Sequence, residues 1–470
     1  MTLLNPDRLF PPDPTARAIA RAIYSQISTA PIISPHGHCD PSWFSSNNHF
    51  SNPAKLLISP DHYVVRMLIS RGLTFEELGI ASADGGWVET DPRKIWRRFA
   101  ENYYLFRGTP TRLWMDYSFQ EVFKLSLPLG PDTADLYYDH ISELLTQDAY
   151  RPRALFDSFG IEMLATTEGA LDPLDHHRAL RQCGWDGTVI TTYRPDEVTD
   201  PEHETFQANL DRFADITGCD LATWAGYLDA HRNRRAYFRA AGAVATDHGV
   251  PIPMTVDLDI SECVRLYARV RGGQVSPEDA GLFRAQMLTE MARMSIEDGM
   301  TMQIHPGSQR NYSRDVFQKY GRDRGYDIPR AVNFVDGLAP LLNAVGNEPG
   351  LRIVVFTLDE ATLSRELAPL AGAFRALLLG PAWWFSDAPD GIKRFREAVT
   401  ETAGFYNTAG FNDDTRAFPS LPARHDMARR LDAAFLAERV ADHRMSEAEA
   451  FQVAYDLTVT LPRQTYSLSD

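Results

Sequence analysis

Alternation is the feature that most constrains how this chain can fold. Eight short β-type runs recur along its 470 residues, and long amphipathic stretches separate most of them. The runs are PIIS near 31, IEMLATT near 161, GTVITTY near 187, VPIPMTV near 250, MTMQIH near 300, RIVVFTL near 352, FRALLLG near 374 and GFYNTAG near 404. Three intervening stretches read as helix: Asp229 to Asp247, rich in Ala and Arg; Pro277 to Asp298; and Leu421 to Val440, with apolar residues at helical spacing. Strands that alternate with helices run parallel, because each crossover returns the chain to the same end of the sheet. Eight of them suggest an α/β chain closed into a (β/α)8 TIM-like barrel, with an open doubly wound sheet as the alternative. Two of the runs are weak strands: VPIPMTV contains prolines, and GFYNTAG has little β-branching.

The gap from 42 to 155 is too long for one crossover helix. It holds the helical patterns DHYVVRMLISRGL, DPRKIWRRFAENYYLF and TRLWMDYSFQEVF, so it reads as a helical insertion between strands one and two. Residues 1–41 and 156–470 then form the barrel, and the insertion is expected over its C-terminal face, where barrel active sites are built. No Gly/Ser-rich linker sets it apart.

Net charge bounds the partners. With 47 basic and 63 acidic residues the formal charge is -16, which argues against nucleic-acid binding and against an anionic membrane surface. An anionic small molecule stays possible where arginines are focused locally. No stretch approaches a membrane span, and the N-terminus carries no unbroken apolar run of the signal-peptide kind. The four cysteines, Cys39, Cys183, Cys219 and Cys263, are scattered without a C-x-x-C pair, which suits a reducing, cytoplasmic setting.

The chemistry starts at PIISPHGHCDP. In H-x-H at a strand end both imidazoles point to one side, because side chains alternate with a period of two, so His36 and His38 can chelate one divalent ion. Taken alone, the pair is more often two loop histidines, and its place on the first strand changes that weighting. A further ligand could come from His305, ending MTMQIH, or from FNDDTRAF, where Asp413 and Asp414 lie just past the eighth strand with Arg416 close behind. Arg194 follows the third strand, and DHYVVR places His62, Tyr63 and Arg66 in the insertion; guanidinium forks of this kind bind carboxylates. Trp383 and Trp384 in GPAWWFSD could wall a sugar pocket or simply be core. Only five lysines are present, none between Lys124 and Lys319, so a Schiff-base or metal-bridging lysine on a middle strand is hard to place. Neither a phosphate-binding G-x-x-x-x-G-K-[ST] nor a dinucleotide G-x-G-x-x-G after a strand occurs, and a G-x-S-x-G elbow is missing. Mononuclear metal chemistry or metal-positioned acid–base work remains.

Assembled in order, the segments carry a resemblance. HGH at 36–38, DHYVVR at 61–66, LWMDYSFQEVF at 113–123, LATTEGALDPLDHH at 164–177, YRPDEV at 193–198, MQIHPGSQRN at 302–311, GPAWWFSD at 380–387 and DDTRAFPSLPARHDMARR at 413–430 are similar to segments of the uronate isomerases, a divergent branch of the amidohydrolase superfamily. The resemblance implies a (β/α)8 barrel with a helical insertion. It also implies reversible aldose–ketose conversion of D-glucuronate to D-fructuronate and of D-galacturonate to D-tagaturonate, with one divalent ion, zinc by expectation. On that pattern His36 and His38 hold the metal, with Asp414 as a further ligand or the base. Arg416 stabilises the developing enediolate and Tyr63 shuttles a proton between the C1 and C2 oxygens, while His62, Arg66, Arg194, His305 and Trp384 contact the sugar acid. A homo-oligomer in the cytoplasm, working in sugar-acid catabolism, completes the expectation. Two alternatives stand beside it: a mononuclear amidohydrolase acting on a carboxylate-bearing substrate through metal-bound water, and a non-catalytic relative on an inherited barrel.

Overall fold

Asp-Pro, Asn-Pro, Thr-Pro and Ser-Pro dipeptides punctuate the chain, and the structure uses them as helix starts. In the computed structural model, which describes residues 3–468, Asp13, Asp40, Asn52, Asp91, Thr109 and Ser276 each cap a helix by accepting a backbone N–H of the first turn. The proline that follows each of them supplies a preset φ where no donor is needed. Pro277–Asp298 is helical over the range read from the sequence, and the last long helix is Leu421–Ala441.

Seven strands form one parallel sheet in chain order: β1 (Ile32–Ser34), β2 (Ile161–Gly169), β3 (Thr188–Arg194), β4 (Ala245–His248), β5 (Thr301–Ile304), β6 (Ile353–Val355) and β7 (Leu377–Leu379). This is an α/β architecture consistent with a TIM-like barrel. The eighth run, GFYNTAG, is not a strand. Gly404 and Gly410 take positive φ, and only Thr408 makes a bridge, to Leu379 of β7. The end of this run and the chain just beyond it nevertheless link the two edges of the sheet. Ala409 N–H donates to Leu379 O (2.9 Å), Asp414 N–H to His36 O (3.2 Å) and His38 N–H to Thr415 O (2.9 Å).

The fourth strand needs correcting too. It is Ala245–His248, overlapping the tail of the stretch read as helix, and VPIPMTV is not strand. Pro251 and Pro253 lack the N–H groups a central ladder requires. The helix assigned from Asp229 begins earlier, at Trp224, and stops at Ala240.

Apolar burial falls into blocks. The largest lies between β3–β7 and the outer helices, with Met302, Ile304, Ile353 and Leu377 from the strands. A second sits under the helices between β1 and β2, built on Trp96, Phe99, Tyr103 and Phe119, and it runs on into Ile32, Ile161 and Leu164 of the sheet. A third joins Pro14–Ile27 to the C-terminal helices. Among the described residues no helix is long and apolar enough to cross a membrane.

Candidate active site

Period-two alternation on β5 sends Met302 and Ile304 into the outer core, so Gln303 and His305 face the interior. His305 arrives beside His36, the two rings stacking at 4.7 Å between centroids. At the same end of the sheet Asp414 takes a left-handed φ of 49°, which turns its carboxylate toward the pair beyond β1. Its Oδ1 lies 3.6 Å from His36 Nε2 and 3.2 Å from His38 Nε2. Its Oδ2 accepts a hydrogen bond from Trp383 Nε1 (2.8 Å).

Three lone-pair donors thus converge, and His36, His38 and Asp414 satisfy the spacing for one ion. Asp414 Oδ1 and His305 Nε2 are buried and make no hydrogen bond, so the pocket presents bare donor atoms that a cation would satisfy. Two imidazoles and a carboxylate suit a divalent transition metal, and the residues therefore fit the group the sequence implied. Burial works to raise the Asp414 carboxyl, but the imidazoles of His38, His36 and His305 outweigh it and hold the group well below the usual carboxylate range. Burial pushes His38 down and His305 to about 4, with the carboxylates of Asp414 and Asp247 respectively opposing. Both imidazoles are accordingly neutral at pH 7, the form a metal ligand needs.

His305 is itself held from behind. Its Nδ1 lies 2.6 Å from Asp247 Oδ1, so that Nδ1 carries the proton and Nε2 stays free toward the cavity. Arg194 reaches the same acid with Nη1 at 3.2 Å, while its Nε donates to Asp196 at 2.7 Å.

The helix His62–Ile69 brings two more groups to the cavity. Asp61 caps it, accepting from Tyr63 N–H (2.8 Å) and Val64 N–H (3.4 Å), and this fixes the first turn that carries His62 and Tyr63. The two rings stack at 4.5 Å, His62 meets Trp384 edge-on at 5.6 Å, and Tyr63 meets Trp114 at 5.8 Å. Burial pushes the Tyr63 phenol well above 10, with Arg424 pulling the other way, and lowers His62 to about 3, assisted by Arg416.

One cavity brings together His36, His38, His62, Tyr63, Arg194, His305, Trp384, Asp414 and Arg416. Arg66 is not among its lining residues. Its guanidinium lies over the Phe385 ring, 4.9 Å from the centroid, one turn along the helix from His62. Sequence reasoning missed Asp247, Asp61, Asp323 and Arg424, all of which line the cavity. Asp247 was hidden by the misplaced fourth strand. Arg424 sits within one of the quoted segments, on a helix where nothing marks it as facing a pocket.

His-x-His just past the first strand, with an acid where the last segment closes on it, gives one end of this parallel α/β sheet the donor set of a candidate metal enzyme. The model of the glucuronate isomerase family matches residues 15–460. Uronate isomerase from Mesorhizobium japonicum is 57% identical over 468 residues, covering 100% of both chains, and that from Xanthomonas axonopodis pv. citri is 58% identical over 465, covering 99% and 98%. The crystal structure of glucuronate isomerase from Caulobacter crescentus superimposes with a TM-score of 0.98 at 54% identity, covering 100% of this chain and 98% of that one. The chain belongs to the glucuronate isomerase family and is an isomerase.

Proposed function

We propose that this site interconverts D-glucuronate with D-fructuronate and D-galacturonate with D-tagaturonate, by moving a proton from C2 to C1 through an enediol. The observation that carries the reading is the convergence of His36, His38 and Asp414 in one cavity with Tyr63 and Arg416. His36, His38 and Asp414 hold one divalent ion, proposed to be zinc, which when bound supplies Lewis-acid polarisation and orients an anionic sugar acid. Beside its place in that donor set, Asp414 is the carboxylate that takes the proton from C2 and returns it to C1. Tyr63, whose phenol stays protonated, shuttles a proton between the C1 and C2 oxygens. Arg416 places positive charge beside the enediol oxygens as they become negative. His305, with its tautomer set by Asp247, accepts from a substrate hydroxyl. Arg194 and His62 complete the polar wall, and Trp384 gives the sugar an apolar face. Arg66 lies over Phe385, which stacks on Trp384 at 5.2 Å between centroids, and so supports that apolar face from outside the cavity.

In the same reading residues 1–41 and 156–470 make a closed (β/α)8 barrel, and residues 42–155 are a helical insertion over its C-terminal face that delivers His62 and Tyr63. The enzyme works as a cytoplasmic homo-oligomer on a small sugar acid.

The test is a proton NMR time course in D2O with metal-analysed protein and each uronate. Ketose appears and deuterium enters C1 of the product. Unchanged spectra for both sugars with a loaded site would sink the substrate assignment. Replacing Arg416 with Gln is expected to lower kcat by roughly 10²- to 10³-fold, the scale for losing one group that stabilises transition-state charge.

A further inference from the structure

Below the site lies a polar chain, Thr301, Gln303, Tyr466 and Asn412, that none of the steps above uses. Thr301 and Gln303 on β5, and His305 just past its end, lie two residues apart and step up the interior from the sheet's N-terminal end. At the bottom, Thr301 Oγ1 and Gln303 meet the C-terminal segment: Thr301 donates to Thr465 O (2.5 Å), and Tyr466 O–H donates to Gln303 Oε1 (2.9 Å). Asn412 Nδ2 donates in turn to Tyr466 Oη (2.7 Å). Tyr466 is fully buried, and so is Gln303. At its upper end the Gln303 amide nitrogen stands 3.5 Å from His36 Nδ1 and 3.4 Å from Thr246 O. Along this line the Gln303 amide joins the Tyr466 phenol to His36.

Each member of that line both donates and accepts. A half-turn of the two amides and a rotation of one hydroxyl reverse the hydrogen bonds from His36 to Asn412 without moving the chain, giving up only the long contact of the Gln303 amide with Thr246 O, a carbonyl that cannot donate. In one direction Asn412, Tyr466 and Gln303 donate upward, His36 Nδ1 is the acceptor, and Nε2 carries the ring proton toward Asp414 Oδ1. A cation on Nε2 requires the opposite tautomer, with the proton on Nδ1 and an oxygen to receive it. Reversal supplies that oxygen: Nδ1–H donates to the Gln303 carbonyl, the Gln303 amide donates to Tyr466 Oη, and Tyr466 donates to the Asn412 carbonyl. Asn412 Oδ1 is buried and makes no hydrogen bond, so an acceptor is available at the far end.

We infer that Gln303 and Tyr466 are positioning residues, forming a reversible hydrogen-bond relay that sets which nitrogen of His36 bears the proton and thereby how tightly His36 holds a divalent cation. The inference rests on the metal reading above. Outer partners of a ligating histidine commonly set affinity by 10- to 100-fold.

The experiment measures the Zn²⁺ Kd by chelator competition for the wild type, Gln303→Leu, Gln303→Glu and Tyr466→Phe, with melting temperatures of each protein before zinc is added. Gln303→Leu is expected to bind about 10- to 100-fold more weakly, because Nδ1–H loses its acceptor. Gln303→Glu keeps an acceptor and is expected to stay within about threefold of wild type or to bind more tightly, as a carboxylate behind a ligating histidine does. Tyr466→Phe, which breaks the relay one step away, is expected to lose roughly 3- to 10-fold. In ring-¹⁵N-histidine spectra of the wild type, zinc moves the His36 proton onto Nδ1. A purely structural role for Gln303 would lower the melting temperatures of both its variants without separating their zinc affinities. A Gln303→Leu Kd within about twofold of wild type, or a Gln303→Glu protein as weak as Gln303→Leu, overturns the relay. Should Gln303→Leu fail to fold, an unchanged Kd in Tyr466→Phe overturns it. A wild type that binds no zinc sinks the metal reading itself, an outcome distinct from tight wild-type binding that Gln303→Leu leaves untouched.

Discussion

Arg424→Met tests whether the electrostatics of the cavity wall are as the geometry implies. Arg424 rises from the helix Leu421–Ala441, and its Nη1 donates to Asp387 Oδ2 (2.8 Å) and to Asp413 O (2.9 Å). The guanidinium carbon lies 3.8 Å from the centroid of Trp114 and 5.8 Å from that of Tyr63. Both partners of the Arg424–Asp387 pair are only 4% exposed. Burial pushes the Asp387 carboxyl up to about 7, against the pull of Arg424 and with Asp413 and Asp414 adding to the rise. Methionine keeps much of the volume and removes the charge, and breaking one side of a buried pair costs about 3–5 kcal/mol. Part of that cost depends on pH. In the wild type the folded state holds the Asp387 proton up to about 7 while an unfolded carboxylate releases it near 4, so stability falls as pH rises through that window. Without Arg424 the folded value climbs further, and the fall continues above pH 7 at about 1.4 kcal/mol per unit. The loss relative to wild type is therefore about 2 kcal/mol larger near pH 8.5 than near pH 6. An unfolding entropy of about 2 cal/mol/K per residue makes roughly 1 kcal/mol/K for a chain of this length, so Tm drops by about 3–5 °C at the higher pH and about 1–3 °C at the lower. Calorimetric melts at one scan rate and both pH values read this directly. Adding Asp387→Asn should remove the pH-dependent part. Equal drops at both pH values, or a double variant as pH-sensitive as the single, would refute the reasoning.

Two further outcomes follow from the same structure. Burial lowers His305 to about 4 and His62 and His248 to about 3, whereas free imidazole titrates near 6.5, so the unfolded chain binds protons that the folded one refuses between about pH 4 and 6.5. Stability of chelator-treated protein should rise with pH across that window, and His248→Asn should reduce the slope by about one proton; a slope unchanged by the substitution contradicts the assignment. Phe119 is fully buried among Tyr137 (5.0 Å), Tyr103 (6.0 Å) and Trp96 (6.2 Å), in the block under the helices between β1 and β2. Phe119→Ala is expected to cost about 3–5 kcal/mol while leaving zinc affinity unchanged, and a parallel loss of affinity in the titration would show that this block shapes the metal site.

Much of the fold was legible because it rests on local chemistry. The Pro-capped helix starts, the uninterrupted pattern of Pro277–Asp298 and the apolar runs of β2, β3 and β6 each announce themselves without tertiary help. So does His-x-His, since a period of two puts both rings on one side. The failures have a common cause. β4 reads Ala-Thr-Asp-His: Asp247 turns inward to His305, while Thr246 Oγ1 bonds to His248 Nε2 at 2.9 Å, leaving almost nothing apolar for a pattern to detect. The segment in the eighth place ends in Asn412, Asp413 and Asp414, and the last of these adopts a left-handed backbone that no ladder tolerates. Gln303 sits in a strand that was found, yet its role depends on Tyr466, more than 160 residues away. A barrel that does chemistry must put polar side chains at the inner ends of its strands, and those substitutions erase the hydrophobic signal that identifies a strand. The two places where the apolar rhythm broke, near 247 and near 412, are accordingly where the cavity draws Asp247 and Asp414. A missing strand in an otherwise regular alternation is thus itself a pointer to the site.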